Sequence, residues 1–430
     1  MRVATKVVLA WGVAIGLWTG NATPQDAASA ILLIGDGMGI AHVTAARIFR
    51  GNARDGELAL DRFEHLALVR TYATDMMVTD SAAAATALAT GRKTRYGSVG
   101  VDADGNDLET ILERAKSAGK SVGIVTTARV THATPAAFFA HLSDRDDEQA
   151  IADQFLAYGQ IDLIMGGGRE FFLPESVKDG ETSRAGGRDD TRNLIEEAAQ
   201  AGYHVVQRAG EVEVLRSTSE ADGYPSKILG LFEFSKMRYV YMRERDRWGE
   251  PSLADMTAFA LDVLSRNPNG FFLMVEGALI DHASHENWAR VALEEVLAFD
   301  DAVDVALRFH DEHRDTLVVA TSDHETGGLA INGYAEVEVG GTRLLDAEPV
   351  GDVPEFLSFA TGPGAKRRAG AKPSAGALYR QSALHPMDSS AHTAEDVLAW
   401  AAGPGAERIR GTMENYELGQ SLLYALLGAN

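Results

Sequence analysis

Five short apolar runs, rich in Val, Ile and Leu and bounded mostly by Gly or Asp, punctuate the chain at residues 31–34, 121–127, 161–165, 271–275 and 316–320. Runs that are apolar at consecutive positions belong to strands covered on both faces. Between them the period becomes helical. Residues 110–118, 252–265 and 287–309 read as helices, and Ser252, directly after Pro251, is placed to cap the second. Strand and helix in alternation predict an α/β fold with a mostly parallel central sheet and helices on both faces. Two stretches break the rhythm, near 180–247 and 333–383, the second rich in Gly, Ala and Pro. No linker isolates them, so they read as insertions within a single domain spanning 23–430. In such sheets ligands bind at the carboxyl ends of the strands.

The amino terminus has a pattern of its own. Arg2 and Lys6 precede an apolar run at 7–18, and Gly20, Asn21 and Ala22 follow it. A basic start, a short apolar stretch and a small-residue exit read as a signal peptide over 1–22. The run is short for a membrane span, and no later segment offers 18 uninterrupted apolar residues. The expectation is a periplasmic or secreted protein without a membrane anchor.

Composition narrows the chemistry. The 430 residues are 45% hydrophobic, enough for a sizeable core, and include no cysteine. Thiol nucleophiles, Cys-based zinc fingers and a disulfide scaffold are thereby excluded. With 62 acidic against 40 basic side chains the formal charge is −22, which argues against a nucleic-acid-binding surface. Any metal site must be built from His, Asp, Glu and hydroxyls.

Those residues gather at strand ends. Gly35-Asp36-Gly37-Met38-Gly39 follows the first run; by itself it is a common tight turn. Glu276 closes the fourth run, and beyond it Asp281 and His285 stand four apart, so a helical turn puts both on one face, toward a common ion. Asp323 and His324 follow the fifth run. A further cluster, Ser389-Ser390-Ala391-His392, precedes a helix expected from near Ala394. One Asp–His pair is more often a capped turn than a ligand set. Three such clusters at buried strand ends reverse the odds, because each buried charge without a cation costs roughly several kcal/mol. Zinc suits the His-rich positions and magnesium the all-oxygen ones. A nucleophile candidate, Ser81, opens the alanine-rich segment Asp80-Ser81-Ala82-Ala83-Ala84-Ala85. Its hydroxyl would face unpaired N–H groups and the positive end of a helix dipole; Asp80 or Ser81 could equally be a plain helix cap.

The chain resembles the alkaline phosphatases. The resemblance rests on Gly35–Gly39, Thr79-Asp80-Ser81-Ala82-Ala83, Ala133-Thr134-Pro135-Ala136, the segment 275–285, Ser322-Asp323-His324-Glu325-Thr326-Gly327-Gly328 and Ser390-Ala391-His392-Thr393, in that order from residue 31 to about 400. It implies hydrolysis of phosphate monoesters through a phosphoserine on Ser81, with Arg145 clamping the phosphate. It implies one zinc held by Asp281, His285 and His392, and a second held by Asp36, Asp323 and His324 beside Ser81. A magnesium would be shared by Asp36, Thr134 and Glu276. Where the familiar bacterial pattern has Asp and Lys, this chain has His132 and His282, as in the vertebrate branch. His132 could ligate directly and admit zinc at the third position, or stand behind it; His282 removes a fixed positive charge near the phosphate. The resemblance also implies a homodimer. Two other readings remain: a phosphodiesterase of the same superfamily, and a non-catalytic exported protein that sequesters phosphate or metal. Lacking Pro and Arg after Ser81, the chain does not fit a sulfatase.

Overall fold

The computed structural model describes residues 27–51, 55–243, 249–332, 357–366 and 377–428. Its strands, in chain order, are β1 (Ser29–Gly35), β2 (His65–Arg70), β3 (Ser121–Arg129), β4 (Leu163–Gly167), β5 (His204–Val206), β6 (Ile228–Leu231), β7 (Phe271–Gly277) and β8 (Thr316–Thr321). There follow β9 (Glu325–Thr326), β10 (Ala330–Ile331), β11 (Leu357–Gly362), β12 (Ala383–Pro386), β13 (His392–Thr393), β14 (Val397–Ala402) and β15 (Gly411–Glu414). Ten of them form one sheet in the order β15-β2-β14-β8-β1-β7-β3-β4-β6-β5. Only β14 runs against its neighbours there.

The apolar runs account for the layers. In β1, Ala30, Leu32 and Ile34 enter one core while Ile31 and Leu33 enter the other. The first core is covered by helices Ser81–Thr90, Ile111–Ser117, Glu148–Tyr158 and Asn415–Leu427. The second is covered by Ile40–Gly51, Leu253–Leu264 and Ala289–Glu312. The expected α/β architecture is therefore present, with β1 at its centre between β7 and β8. Ser252 caps its helix as expected, its hydroxyl accepting from Asp255 N at 3.0 Å.

The helix expected from near Ala394 is absent. That segment forms β14, inserted antiparallel between β8 and β2. Its residues obey the rule for a strand buried on both sides: Val397, Ala399 and Ala401 meet one core, Leu398 and Trp400 the other. The Ala- and Leu-rich composition suggested a helix, and placement in the sheet overrides that preference. Within 180–247, β5 and β6 extend the sheet in parallel beyond β4. Within 333–383, β11 pairs with β10 and with β12, whose first residue is Ala383. Residues 333–356 and 367–376 lie outside the described residues, as does the segment 1–22 expected to be a leader. Among the described residues no helix is long and apolar enough to cross a membrane.

Candidate active site

The site lies at the carboxyl ends of β1, β7, β8 and β3, in the middle of the sheet. As β1 ends, Asp36 N donates to Gly277 O at 3.2 Å, and the chain turns through Gly37 at φ 72°. A side chain there would strike Asp281 Cα at 2.8 Å, so the glycine is required by the closeness of two acid-bearing segments. Glu276 is the last residue but one of β7, and the helix Leu279–His285 then brings Asp281 and His285 onto one face, Oδ2 to Nε2 3.2 Å. β8 leads into Asp323 and His324; Gly37 N donates to Asp323 Oδ1 at 3.1 Å. His392 arrives through β13, which pairs antiparallel with β9, opposite Thr326. Its ring stacks on that of His324, with centroids 3.6 Å apart.

Ser81 opens the helix Ser81–Thr90, where the capping residue is Asp80, accepting from Ala83 N at 3.1 Å. The Ser81 hydroxyl is 3.2 Å from His324 Nε2. Asp80 does more than cap: its Oδ2 receives Arg145 Nη1 at 3.1 Å, while Arg145 Nη2 donates to His132 Nε2 at 3.0 Å. His132 and Thr134 follow β3, the first just before the short helix Ala133–Ala136 and the second on it. His282 stacks obliquely near His132, ring centroids 5.8 Å apart, and its Nε2 is buried without a partner.

Hydrogen bonding decides what the three histidines facing Ser81 and the acids can do. His285 Nδ1 meets Ser390 O at 2.5 Å, and His392 Nδ1 meets Thr79 O at 3.1 Å. Carbonyl oxygens only accept, so in the neutral rings these nitrogens carry the proton. Thr326 spends its proton on Asp281 Oδ1 at 2.5 Å, so its oxygen accepts from His324 Nδ1 at 3.3 Å. In their neutral forms all three rings thus present Nε2 lone pairs inward, and on His285 a cation would replace the proton that Asp281 otherwise favours there. Two of them, on His285 and His392, face each other at 3.3 Å.

The carboxylates tell the same story. Asp36, Glu276 and Asp323 are almost wholly buried. Both oxygens of Asp36, one of Glu276 and one of Asp323 have no hydrogen-bond partner, nor does Thr134 Oγ1. Burial pushes the Glu276 and Asp323 carboxyls up to about 7, and burial followed by the charges of Asp323, Asp281 and Glu276 pushes Asp36 well above its ordinary range. Against burial, His285 holds Asp281 well below the carboxylate range, and Asp281 in turn raises His285 to about 9. Burial drives His282 down to about 3, with Lys236 adding to it, so His282 is neutral.

Three groups of ligand atoms lie within 4.8 Å of one another: Asp36–Asp323–His324, Asp281–His324–His392 and Asp36–His132–Glu276. Lone pairs facing lone pairs, beside acids with empty acceptor oxygens, fit divalent cations and little else. The three groups take in Asp36, His132, Glu276, Asp281, Asp323, His324 and His392 of the residues singled out from sequence; His285 adjoins Asp281 and His392 without belonging to any of them, and Arg145 reaches the cluster through Asp80 and His132. Two contributors were not singled out: Asp80 as the holder of Arg145, and Thr326 as the link between Asp281 and His324. Asp80 stands beside Ser81 in the capping position and was readable only as a cap.

The family model for alkaline phosphatase matches residues 27–427. The chain is 36% identical over 453 aligned positions to an alkaline phosphatase of Gadus morhua, covering 93% of this chain and 92% of the relative. It is 37% identical to the tissue-nonspecific alkaline phosphatase isozyme of Gallus gallus, covering 92% and 83%. Among solved structures it superposes on the alkaline phosphatase of the Antarctic bacterium TAB5 with a TM-score of 0.73 at 26% identity, covering 95% of this chain and 100% of that one. The Thermus thermophilus alkaline phosphatase gives 0.74 at 28%, covering 98% and 96%. A variant of the TAB5 enzyme carries Mg in its M3 site. The chain belongs to the alkaline phosphatase family, whose members depend on metal ions. Its activity is that of a phosphoric monoester hydrolase.

Proposed function

We propose that the enzyme hydrolyses phosphate monoesters through a phosphoserine on Ser81, at a site of two zinc ions and one magnesium. The observation that supports this reading best is the convergence of three inward Nε2 lone pairs and the partnerless oxygens of Asp36 and Asp323 around the Ser81 hydroxyl. Asp281, His285 and His392 would hold one zinc; Asp36, Asp323 and His324 the other, with Ser81 at its edge. Asp36, Glu276 and Thr134 would hold the magnesium. In its bonded state His132 accepts from Arg145 on Nε2, so its neutral ring carries the proton on Nδ1 and has no lone pair to give. That leaves oxygen donors at the third position, which favours magnesium over zinc. Bound ions would supply Lewis acidity to the attacking and departing oxygens and lower the pKa of a water molecule to roughly 7.

The protein's own part is positional. Ser81 Oγ, held at a helix start, attacks phosphorus in line as the bond to the alcohol oxygen breaks. Arg145, locked by Asp80 and His132, offers a planar fork to two non-bridging oxygens. Water then cleaves the Oγ–P bond, returns a proton to Ser81 and releases inorganic phosphate. A leader at 1–22, export to the periplasm or medium, one domain over 23–430 and a homodimer complete the proposal; amino-terminal sequencing of the mature protein and light scattering test them.

The deciding experiment is Ser81→Ala. It should abolish acid-stable labelling by phosphate and lower aryl phosphate turnover at least about a thousandfold. Full activity would refute the nucleophile. In parallel, an aryl phosphate diester should turn over far more slowly than the monoester; a preference for the diester would refute the substrate class.

A further inference from the structure

The segment after β6 crosses the carboxyl ends of β4 and β3. Gly168 N donates to Glu233 O at 3.0 Å, Glu170 N to Phe234 O at 2.9 Å, and Met237 N to Thr127 O at 3.0 Å. Thr127 also takes Ala278 N on its hydroxyl at 2.9 Å. One residue thus anchors both this crossing segment and the start of the helix that carries Asp281, His282 and His285. Tyr239 shares an apolar cluster with Leu279 and Ala283 of that helix and meets Trp288 edge-on, centroids 6.0 Å apart.

Lys236 sits beside Tyr239. Its Nζ is 3.4 Å from the Tyr239 hydroxyl and 5.3 Å from the ring centroid. The side chain is half-buried, and among the described residues no carboxylate lies within ion-pair distance of it. The acids whose charge reaches it are engaged elsewhere: Asp281 with His285, Glu286 with Arg380, and Glu295 with Val240 N. An ammonium drawn out of water with a phenol as its one close partner is costly, and an arriving anion relieves that cost.

Two cations therefore bear on the site from different elements: Lys236 through Tyr239, which packs on the helix of Asp281, His282 and His285, and Arg145 through Asp80 and His132. Arg145 is tied to Asp80 and His132, next to the Ser81 helix start. Lys236 stands over the helix that presents Asp281 and His285. The net charge of −22 repels multiply charged esters at long range, so a preference for them must come from cations at close quarters.

We propose that Lys236 is a specificity-determining residue that receives an anionic group on the departing alcohol, so that the enzyme prefers monoesters whose alcohol bears a carboxylate or a second phosphate. The inference rests on the proposed function in taking the Asp281–His285–His392 face as the leaving-group side. The test compares phenyl phosphate with 4-carboxyphenyl phosphate on the zinc- and magnesium-loaded enzyme. In Lys236→Met the ratio of kcat/KM, carboxylated over plain, should fall roughly five- to tenfold, and Lys236→Arg should restore most of it. Rising salt should lower the ratio in the wild type and leave it flat in Lys236→Met. An unchanged ratio would overturn the proposal. So would an equal loss on both substrates, which would place the charge on the transferred phosphoryl group. Failure of the wild type to hydrolyse either ester would instead count against the function itself.

Discussion

Two regions of this molecule bury acidic side chains, and they neutralise them by opposite means. Around β4, the arginine that ends the Gly166-Gly167-Gly168-Arg169 turn is almost fully buried and pairs with Asp179 at 2.6 Å and Glu181 at 2.5 Å. Arg238 reaches Glu181 at 2.8 Å, Glu233 at 3.0 Å and Glu250 at 3.6 Å. Arg188, also fully buried, takes Asp153 and Asp190 at 3.0 and 2.6 Å. Each acid there meets a guanidinium of the same chain. At the ends of β1, β7 and β8, four acids are crowded together, and the nearest arginine is already committed to Asp80. A protein that could match its own charges in one place leaves them open in another. The open set is where ions and substrate must supply what the chain withholds.

Removing the ions separates the two regions most sharply. A chelator should abolish aryl phosphate hydrolysis and lower the thermal midpoint, with both restored by zinc and magnesium, because ligands bound to the folded state alone stabilise it by mass action. An enzyme equally active and equally stable in chelator would erase the distinction. The converse change is Arg169→Met, which leaves Asp179 and Glu181 buried with too little countercharge. Unfolding in urea should show a loss of about 3–5 kcal/mol, while the response of activity to chelator stays as in the wild type. A third change carries the logic of the matched region into the open one. His282→Lys places a fixed cation beside the phosphate position, and inhibition by inorganic phosphate should tighten by about tenfold; no tightening would show that His282 does not face the product.

The smallest effect concerns a half-buried pair remote from both. His141 Nε2 meets Glu113 at 3.1 Å. Glu113 raises the His141 pKa above its ordinary 6.5, and against burial His141 lowers Glu113 below its ordinary 4.5. The histidine contribution is complete below pH 6.5 and fades as pH climbs through the raised value; the carboxylate contribution is complete above pH 4.5 and fades in acid. His141→Gln should therefore cost about 0.5–1 kcal/mol near pH 6 and less at pH 9. A difference that grows with pH would reverse the assignment.

Much of this was legible in the sequence because the site is built from strand ends. Consecutive apolar residues mark strands covered on both sides, and the polar residues that follow them fall at the carboxyl edge without further instruction. Asp36, Glu276 and Asp323 were found that way, and the four-residue spacing of Asp281 and His285 needed only a helix. His392 was found by its motif, while the element after it was misread. Alanine and leucine favour a helix in isolation, and nothing local says that 397–402 will slide between β8 and β2. The proton directions were hidden as well. Ser390 and Thr79 act through backbone carbonyls, and Thr326 acts through a contact made only after β9 and β13 have paired. Lys236 gave no signal, since its meaning lies in the acid it lacks.

The contacts that finish the site span most of the chain. Ser81 meets His324 across 243 positions, and His392 leans on Thr79 across 313. Local helices form long before such distant partners find each other. The last ligand comes on the strand pair that also leads into β14, so the cradle closes only when the carboxyl-terminal part of the chain has joined the sheet. An unfinished or partly threaded copy would carry Ser81, the proposed nucleophile, and most of the acids yet remain chemically silent. Activity in this enzyme is thus a certificate of completed folding, issued by a contact between the two halves of the chain.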